Sequence, residues 1–373
     1  MKNLFLVVAP ILLFVSPVLA GASGEVKTEA QAKHYVCPSC GLPCDSQVFD
    51  KPGTCPSCGM PLVEQGAATA HTHALKKVAI LIFNGVEIID YTGPYEVFGA
   101  ANFDVYTVAE TKEPVTTAMG MTVVPRYTFV DAPQPDVLVV PGGSIGGAQK
   151  SAATLKWVKD KTGQAEHTMS VCNGAFILAS AGLLDGLTAT TTSRHIDRLK
   201  AEYPKTKVVY NQRFVDNGKI ITTAGLSAGI DGALHVVRQM LGEGNAQLVA
   251  LGIEYDWRPQ SGYARAALAD RLIPDLDVDD RGKWEIVTMK GGTDHWELVL
   301  RPTSNNPSTA ELMNHFGRAL TKGRWTRVNA TATRSDWKFT GRDDKAWAGT
   351  LTIQPIAKAS PKLEVKLTMA RAG

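Results

Sequence analysis

The chain lacks a strong charge of either sign: 39 Lys and Arg stand against 36 Asp and Glu, a formal net charge of +3. That balance offers no electrostatic footprint for nucleic acid, and neither a helix-turn-helix nor a basic arm is present. Internal repeats and long low-complexity tracts are also missing. Outside the first twenty residues, no run is long and apolar enough to cross a membrane. Cysteine is scarce and uneven: of six in 373 residues, five fall between positions 37 and 58, and Cys172 stands alone. What remains is an ordinary globular composition, 44% hydrophobic and 20% charged, with enough length for two or three cores.

The one apolar run is at the start. Lys2 precedes Leu4 to Val18, and Val18-Leu19-Ala20 ends it before Gly21. A basic residue, an apolar stretch and a small-residue cut site make residues 1–20 a signal peptide, so the product is expected to be exported, to the periplasm or beyond the cell. Pro10 and Pro17 interrupt the run and Gly21, not Cys, follows the cut. A stable span or a lipid anchor is therefore not expected after cleavage.

The cysteine cluster reads Cys37-Pro38-Ser39-Cys40-Gly41, then Cys44, then Cys55-Pro56-Ser57-Cys58-Gly59. Two Cys-Pro-x-Cys-Gly turns at this separation write a zinc ribbon, because each tight turn aims two thiolates at one tetrahedral ion. The expected ligands are Cys37, Cys40, Cys55 and Cys58. Disulfides in an oxidising compartment would use the same residues, but no strand and helix surround either pair as in a redox motif. Cys44 exceeds a four-ligand set, as a spare thiol, an alternative ligand, or a sign of an ion softer than zinc. With Asp50 to Thr54 and Gly59-Met60-Pro61-Leu62-Val63 around the second turn, residues 33–65 resemble the small heavy-metal-binding domain of copper-handling exported proteins. The resemblance implies zinc or another soft metal such as copper. Met60 reads as packing, and Ala67 to Ala74, with His71 and His73, as a linker.

A second centre is Met169-Ser170-Val171-Cys172-Asn173-Gly174-Ala175-Phe176-Ile177. Apolar β-type residues run into a cysteine, a small turn follows, and helical spacing begins, which writes a strand–nucleophile–helix elbow. The free N–H groups of a helix start favour a thiolate at Cys172. A buried structural cysteine leaves the same local pattern, so the stretch alone keeps both readings open. Upstream, the strand Ala79 to Phe83 ends at Asn84-Gly85 and is followed by Asp90, an acid able to reach a neighbouring elbow. Val137-Leu138-Val139-Val140-Pro141-Gly142-Gly143 is a strand stopping at a turn whose N–H groups can hold an oxyanion.

From 76 to 258 strands near 77–83, 103–109, 136–141, 168–172, 207–210 and 219–223 alternate with helices near 91–101, 153–162, 173–181, 194–203 and 227–241. The expected fold class is α/β, a mostly parallel sheet with helices on both faces in the flavodoxin-like manner. Asp216-Asn217-Gly218-Lys219 predicts a hairpin with a type I′ turn. Four motifs now stand in order: the acid five after Gly85, Val-Val-Pro-Gly-Gly, Val-Cys-x-Gly, and Thr223-Ala224-Gly225-Leu226-Ser227-Ala228-Gly229. Through them residues 76–258 resemble the DJ-1/PfpI branch of the class I glutamine amidotransferase-like superfamily, and most of all its isonitrile-hydratase-like subgroup. The resemblance implies Cys172 as nucleophile, Asp90 as the acid bonded to it, and the amides of Gly143 and Asn173 as oxyanion donors. It implies no cofactor in this region, a small-molecule substrate and a homo-oligomer. Asn173 stands where protease-like members carry His, which argues against a peptidase. His195, a little beyond Thr190-Thr191-Thr192, either serves as a third member or faces water on a helix from Ser193 to Glu202.

Past Trp257 the pattern changes. The acidic run Asp275 to Asp280 reads as a solvated linker. Residues 281–373 predict a small α+β domain: a hairpin of 284–289 and 295–300, a helix over 309–321, and strands near 324–333, 346–354 and 362–369. Five of seven tryptophans lie here and read as core. The expected activity is cysteine-dependent hydratase, hydrolase or lyase chemistry on a small electrophile, beside a metal-binding ribbon. The alternative is a non-catalytic module that binds metal and ligand or senses oxidation at Cys172.

Overall fold

The computed structural model describes residues 33–37, 43–65, 75–260, 263–278, 283–303, 307–341, 344–356 and 363–372. The signal segment, Cys40, His71 and His73 lie outside the described residues. Two compact units divide the chain, one ending at Ala74 and one beginning at Leu75. In the first, three two-residue strands, Tyr35–Val36, Val48–Phe49 and Val63–Glu64, form a small antiparallel sheet around buried Cys37, Cys44 and Cys55. Phe49, Met60 and Leu62 are the partly buried apolar residues packed on those cysteines. So small an apolar core needs a further tie to hold its fold.

The second unit starts with the α/β region. Its strands are β1 (Lys77–Leu81), β2 (Asp104–Ala109), β3 (Tyr127–Thr128), β4 (Val137–Val140), β5 (His167–Ser170), β6 (Phe214–Asp216) and β7 (Ile220–Thr223). They form one sheet in the order β6-β7-β5-β4-β1-β2-β3, parallel except for the edge strand β6. Val137 to Val140 are all buried, as continuous apolar runs are when helices cover both faces. On one face α1 (Ile88–Ala100), α5 (Ala228–Leu241) and α6 (Glu243–Gly252) enclose Ile80, Val139, Met169 and Ile221. On the other, α2 (Ala152–Gln164) and α3 (Ala175–Ser180) enclose Leu81, Leu138 and Val140, and α4 (Ile196–Glu202) adds Leu199. Burying each such side chain stabilises the fold by about 1.5–3 kcal/mol.

Two local expectations differ. Lys207–Val208 pairs with Thr188–Ala189 in a separate two-stranded sheet, not in the main one. In the hairpin turn only Gly218 takes a positive φ, +77°. That fits a type II′ turn rather than type I′, and the Asn217 side chain is engaged with Thr188 and Ile220 instead.

The C-terminal region is a six-stranded antiparallel sheet. Its strands are β8 (Trp284–Gly291), β9 (His295–Pro302), β10 (Thr326–Ala330), β11 (Arg334–Thr340), β12 (Ala346–Pro355) and β13 (Leu363–Arg371), ordered β8-β9-β13-β12-β11-β10. One helix, α7 (Thr309–Lys322), starts with a Ser308–Glu311 capping box and buries Leu312, Phe316 and Leu320 against it. Trp296, Trp325, Trp337 and Trp347 share that core. The acidic run is not a free linker. Leu276 is buried and Val278 packs on the same core, because apolar residues alternate with the acids, and Ala269 and Leu272 join them.

Among the described residues, no helix is long and apolar enough to cross a membrane.

Candidate functional site

Cys172 follows strand β5 on a single 3-10 turn, Cys172–Gly174, that runs into α3. It takes φ +57°, a conformation costing about 1–3 kcal/mol for a residue with a β-carbon. The Thr191 hydroxyl helps hold it, donating to the Cys172 carbonyl at 2.7 Å. Gly174 is required by contact: a Cβ there would lie 2.1 Å from the carbonyl oxygen of Val140.

Asp90, on the first turn of α1, is fully buried. One carboxylate oxygen accepts from the Gly142 amide at 3.1 Å, and the other accepts from the Leu226 amide at 3.0 Å. The Cys172 thiol donates to the same carboxylate. Three loops following β1, β4 and β5 therefore meet at the carboxyl ends of the strands, beside the switch in strand order between β1 and β4. A fourth, after β7, supplies Leu226.

The amides singled out as oxyanion donors are both at the elbow, and that of Gly143 is engaged. The Gly143 N–H donates to Asn173 Oδ1 at 2.8 Å, and Asn173 Nδ2 donates back to the Gly143 carbonyl at 2.8 Å. This two-way clamp ties the Pro-Gly-Gly turn to the elbow, and Gly142 leaves room for it, since a Cβ there would lie 2.1 Å from Asn173 Oδ1. The Asn173 N–H faces the Cys172 sulfur and favours its charged form. Gly174 N–H donates to the Val171 carbonyl at 2.9 Å.

Ionisation follows from this packing. Burial pushes the Asp90 carboxyl up to about 6, against the hydrogen bonds from Leu226, Gly142 and Cys172, with Glu87 adding to the rise. Burial and then the charge of Asp90 push the Cys172 thiol up to about 12, although the Asn173 amide and the Thr192 hydroxyl pull it down. At neutral pH the pair is thus carboxylate and thiol. The thiolate expected from the helix start does not form, because one amide from a 3-10 turn is outweighed by desolvation and an adjacent negative charge. His195 sits apart from this pair: its ring meets Phe176 edge-on at 6.0 Å, and burial with Arg198 and Arg194 lowers its pKa. Half-buried at the start of α4, it neither joins the thiol nor lies fully in water.

In the first unit the sulfurs of Cys37, Cys44, Cys55 and Cys58 lie within 4.8 Å of one another, and Cys37 and Cys58 approach to 3.2 Å. Cys44 is thus a member of the cluster among the described residues. Burial raises the Cys55 pKa, but the amides of Ser57 and Cys58 and the thiols of Cys58 and Cys37 outweigh it and bring the group down to about 7. Gly59, at φ +73°, and the bond from its N–H to the Cys55 carbonyl at 2.8 Å shape that turn. Four converging thiols, one already easily deprotonated, are a donor set for a soft metal ion.

A parallel sheet with a strained cysteine at the end of an inner strand, and an acid from the start of a neighbouring helix beside its sulfur, defines a class: α/β proteins of the cysteine-elbow type. Residues 76–239 match the profile of the DJ-1/PfpI family, and residues 34–65 that of the heavy metal binding domain. The isonitrile hydratase of Pseudomonas putida is 36% identical over 181 residues, covering 48% of this chain and 78% of that protein. An uncharacterized protein in the cpoL 5' region of Streptomyces lividans is 34% identical over 134 residues, 34% of this chain and 95% of that one. A crystal structure of a ThiJ/PfpI family protein from Pseudomonas syringae is 34% identical, covers 50% of this chain and 78% of its own, and superposes with a TM-score of 0.46. This chain belongs to the DJ-1/PfpI family and carries a heavy metal binding domain ahead of it.

Proposed function

We propose that the α/β region hydrates a small electrophile of the isonitrile type at Cys172, with Asp90 as the proton carrier. One observation carries the reading: the Gly142 and Gly143 N–H groups of the Pro-Gly-Gly turn are already engaged, by Asp90 and by Asn173, while a buried carboxylate faces the thiol. Hydrolysis of an amide builds charge on an oxygen and needs free donors aimed at it. Addition of a thiol to an isonitrile builds charge on the terminal carbon instead, and that carbon needs a proton. Asp90 takes the thiol proton as sulfur bonds to the terminal carbon, then delivers it to the same carbon, leaving a thioimidate, R–N=CH–S–Cys172. Water adds to that carbon, the C–S bond breaks, and sulfur recovers a proton as the N-substituted formamide leaves. One isonitrile and one water are consumed. The identity to the Pseudomonas putida enzyme supports this substrate class.

The test is intact-mass analysis of the protein with an alkyl isonitrile. An adduct of the isonitrile's mass on Cys172, together with formamide release and the loss of both in Cys172→Ala, is the expected result. A folded protein that yields neither overturns it. The rival reading, oxidation sensing, fits poorly with a thiol raised to about 12, since the thiolate is the form that attacks peroxide.

For the ribbon we propose zinc, with Cys37, Cys44, Cys55 and Cys58 as its ligands among the described residues. A tetrahedral zinc with Zn–S bonds of about 2.3 Å sets its sulfurs about 3.8 Å apart, within the spread observed. Copper found by elemental analysis of native protein would replace that ion. We further propose export, supported by Lys2, the apolar run and Val18-Leu19-Ala20, and testable by whether the protein from the cell begins at Gly21. Self-association is proposed from Leu248 and Leu251, 58% and 72% exposed on one helix, and a monomer in sedimentation would contradict it.

A further inference from the structure

The loop after β7 is what brings a second amide to Asp90, and it is strained at the residue that does so. Leu226 takes φ +52°, a left-handed conformation for a residue with a branched side chain. Something outside the loop has to hold it there. Arg213, just before β6, touches the loop at both ends: its carbonyl accepts from the Ala224 N–H at 2.7 Å, and its guanidinium donates to Ser227 Oγ at 3.1 Å. The guanidinium is itself fixed. It pairs with Asp231 on α5 through Nε at 2.6 Å and Nη2 at 2.5 Å, with side chains only 17% and 7% exposed. Tyr255 donates to the same Asp231 oxygen at 3.2 Å, and Arg213 lies over the Tyr263 ring at 5.7 Å. Tyr255 and Tyr263 both come from chain beyond residue 239, the end of the family match.

We propose that Arg213 is a positioning residue for the Asp90–Cys172 pair: seated on Asp231 between Tyr255 and Tyr263, it fixes the 224–227 loop so that the Leu226 amide stays on Asp90. This deepens the functional reading above but does not depend on the substrate. A carboxylate that loses an amide donor holds its proton more tightly, so a loosened loop raises the pH at which Asp90 ionises. The charged and titratable groups acting on Asp90 are Cys172 from the elbow and Glu87 from the start of its own helix. The Arg213–Asp231 pair reaches it through the loop.

The experiment follows the rate of iodoacetamide alkylation at Cys172 against pH on the full chain, which needs no isonitrile. In the parent protein the rate changes through the ionisation of Asp90 near pH 6. In Arg213→Met that inflection moves up by about one pH unit. In Arg213→Met/Asp231→Asn, where both charges go together, the shift persists, because it comes from the loop and not from a charge left behind. Arg213→Lys recovers part of it, and Ser227→Ala and Tyr263→Leu give smaller shifts in the same direction. If Arg213→Met does not fold, the last two variants carry the test. Unmoved inflections in folded variants overturn the proposal. An inflection that moves while no isonitrile is turned over sustains the positioning role and removes the substrate assignment alone.

Discussion

Two kinds of thiol occur in this chain, one buried in the ribbon and one partly buried at the elbow. Cys55 in the ribbon is brought down to about 7, whereas Cys172 at the elbow is driven up to about 12. Each receives backbone N–H groups, and each is penalised by burial. The difference is the company: Cys55 faces amides and other thiols, which favour a negative sulfur, and Cys172 faces the carboxylate of Asp90, which opposes one. Burial alone therefore does not make a cysteine inert or reactive. Cys55 is prepared to give up its proton to a metal ion, and the elbow thiol is prepared to give its proton to a single neighbouring base.

The contrast can be broken most severely at the elbow. Cys172→Ser should reduce isonitrile hydration to background in a formamide assay, while Cys55→Ser leaves the rate unchanged. Asp90→Asn should lower kcat/KM by about a hundredfold or more, the usual contribution of a positioned proton carrier.

Metal removal sharpens the other half. A chelator should unfold the ribbon and spare the α/β region, since binding energies for structural zinc are on the order of 10–16 kcal/mol and the ribbon has little else. Tryptophan fluorescence should hardly change, because all seven tryptophans lie at or beyond Trp157. Cys44→Ser should lose the ion as readily as Cys55→Ser in a metal-release assay. Retention of full affinity would remove Cys44 from the ligand set.

A smaller effect appears in stability. Asp90 binds its proton more tightly when folded, with a pKa near 6 against an ordinary 3.8. Its contribution is complete below pH 3.8 and is lost as the pH rises through 6, by roughly 3 kcal/mol at about 1.4 kcal/mol per unit. Denaturant unfolding of Asp90→Asn should lack that fall, so the two proteins diverge between pH 4 and 7. Parallel curves would mean that Asp90 titrates normally.

Much of this was legible in the sequence where chemistry is local. The turn glycines, the apolar run ending at Pro141 and the Cys172 junction with α3 are written in neighbouring residues, and so the parallel sheet is legible. The ionisation of Cys172 was not, because it depends on what packs against the sulfur from two other loops. The same holds for Asn173: its side chain reaches thirty residues back to Gly143, and no spacing rule shows that contact. The pattern predicts one strand near 324–333, where Thr326–Ala330 lies, and none over Arg334–Thr340. Their turn is made by Thr331 hydroxyl bonds to Thr333 and Arg334, without the Gly or Pro that marks most turns. Arg213 carried no motif at all, and a hydrophilic residue before an edge strand gives no hint of a partner on α5.

The most direct measurement is kcat/KM for an alkyl isonitrile against pH, in the parent protein and in Asp90→Asn. If Asp90 takes the proton of a neutral thiol, the parent rate rises through an apparent pKa near 6 and stays level to high pH, and the variant is slow with no such step. A rate that instead climbs through the ordinary thiol pKa of about 8.5, equally in both proteins, would mean that a free thiolate attacks, and would contradict the account.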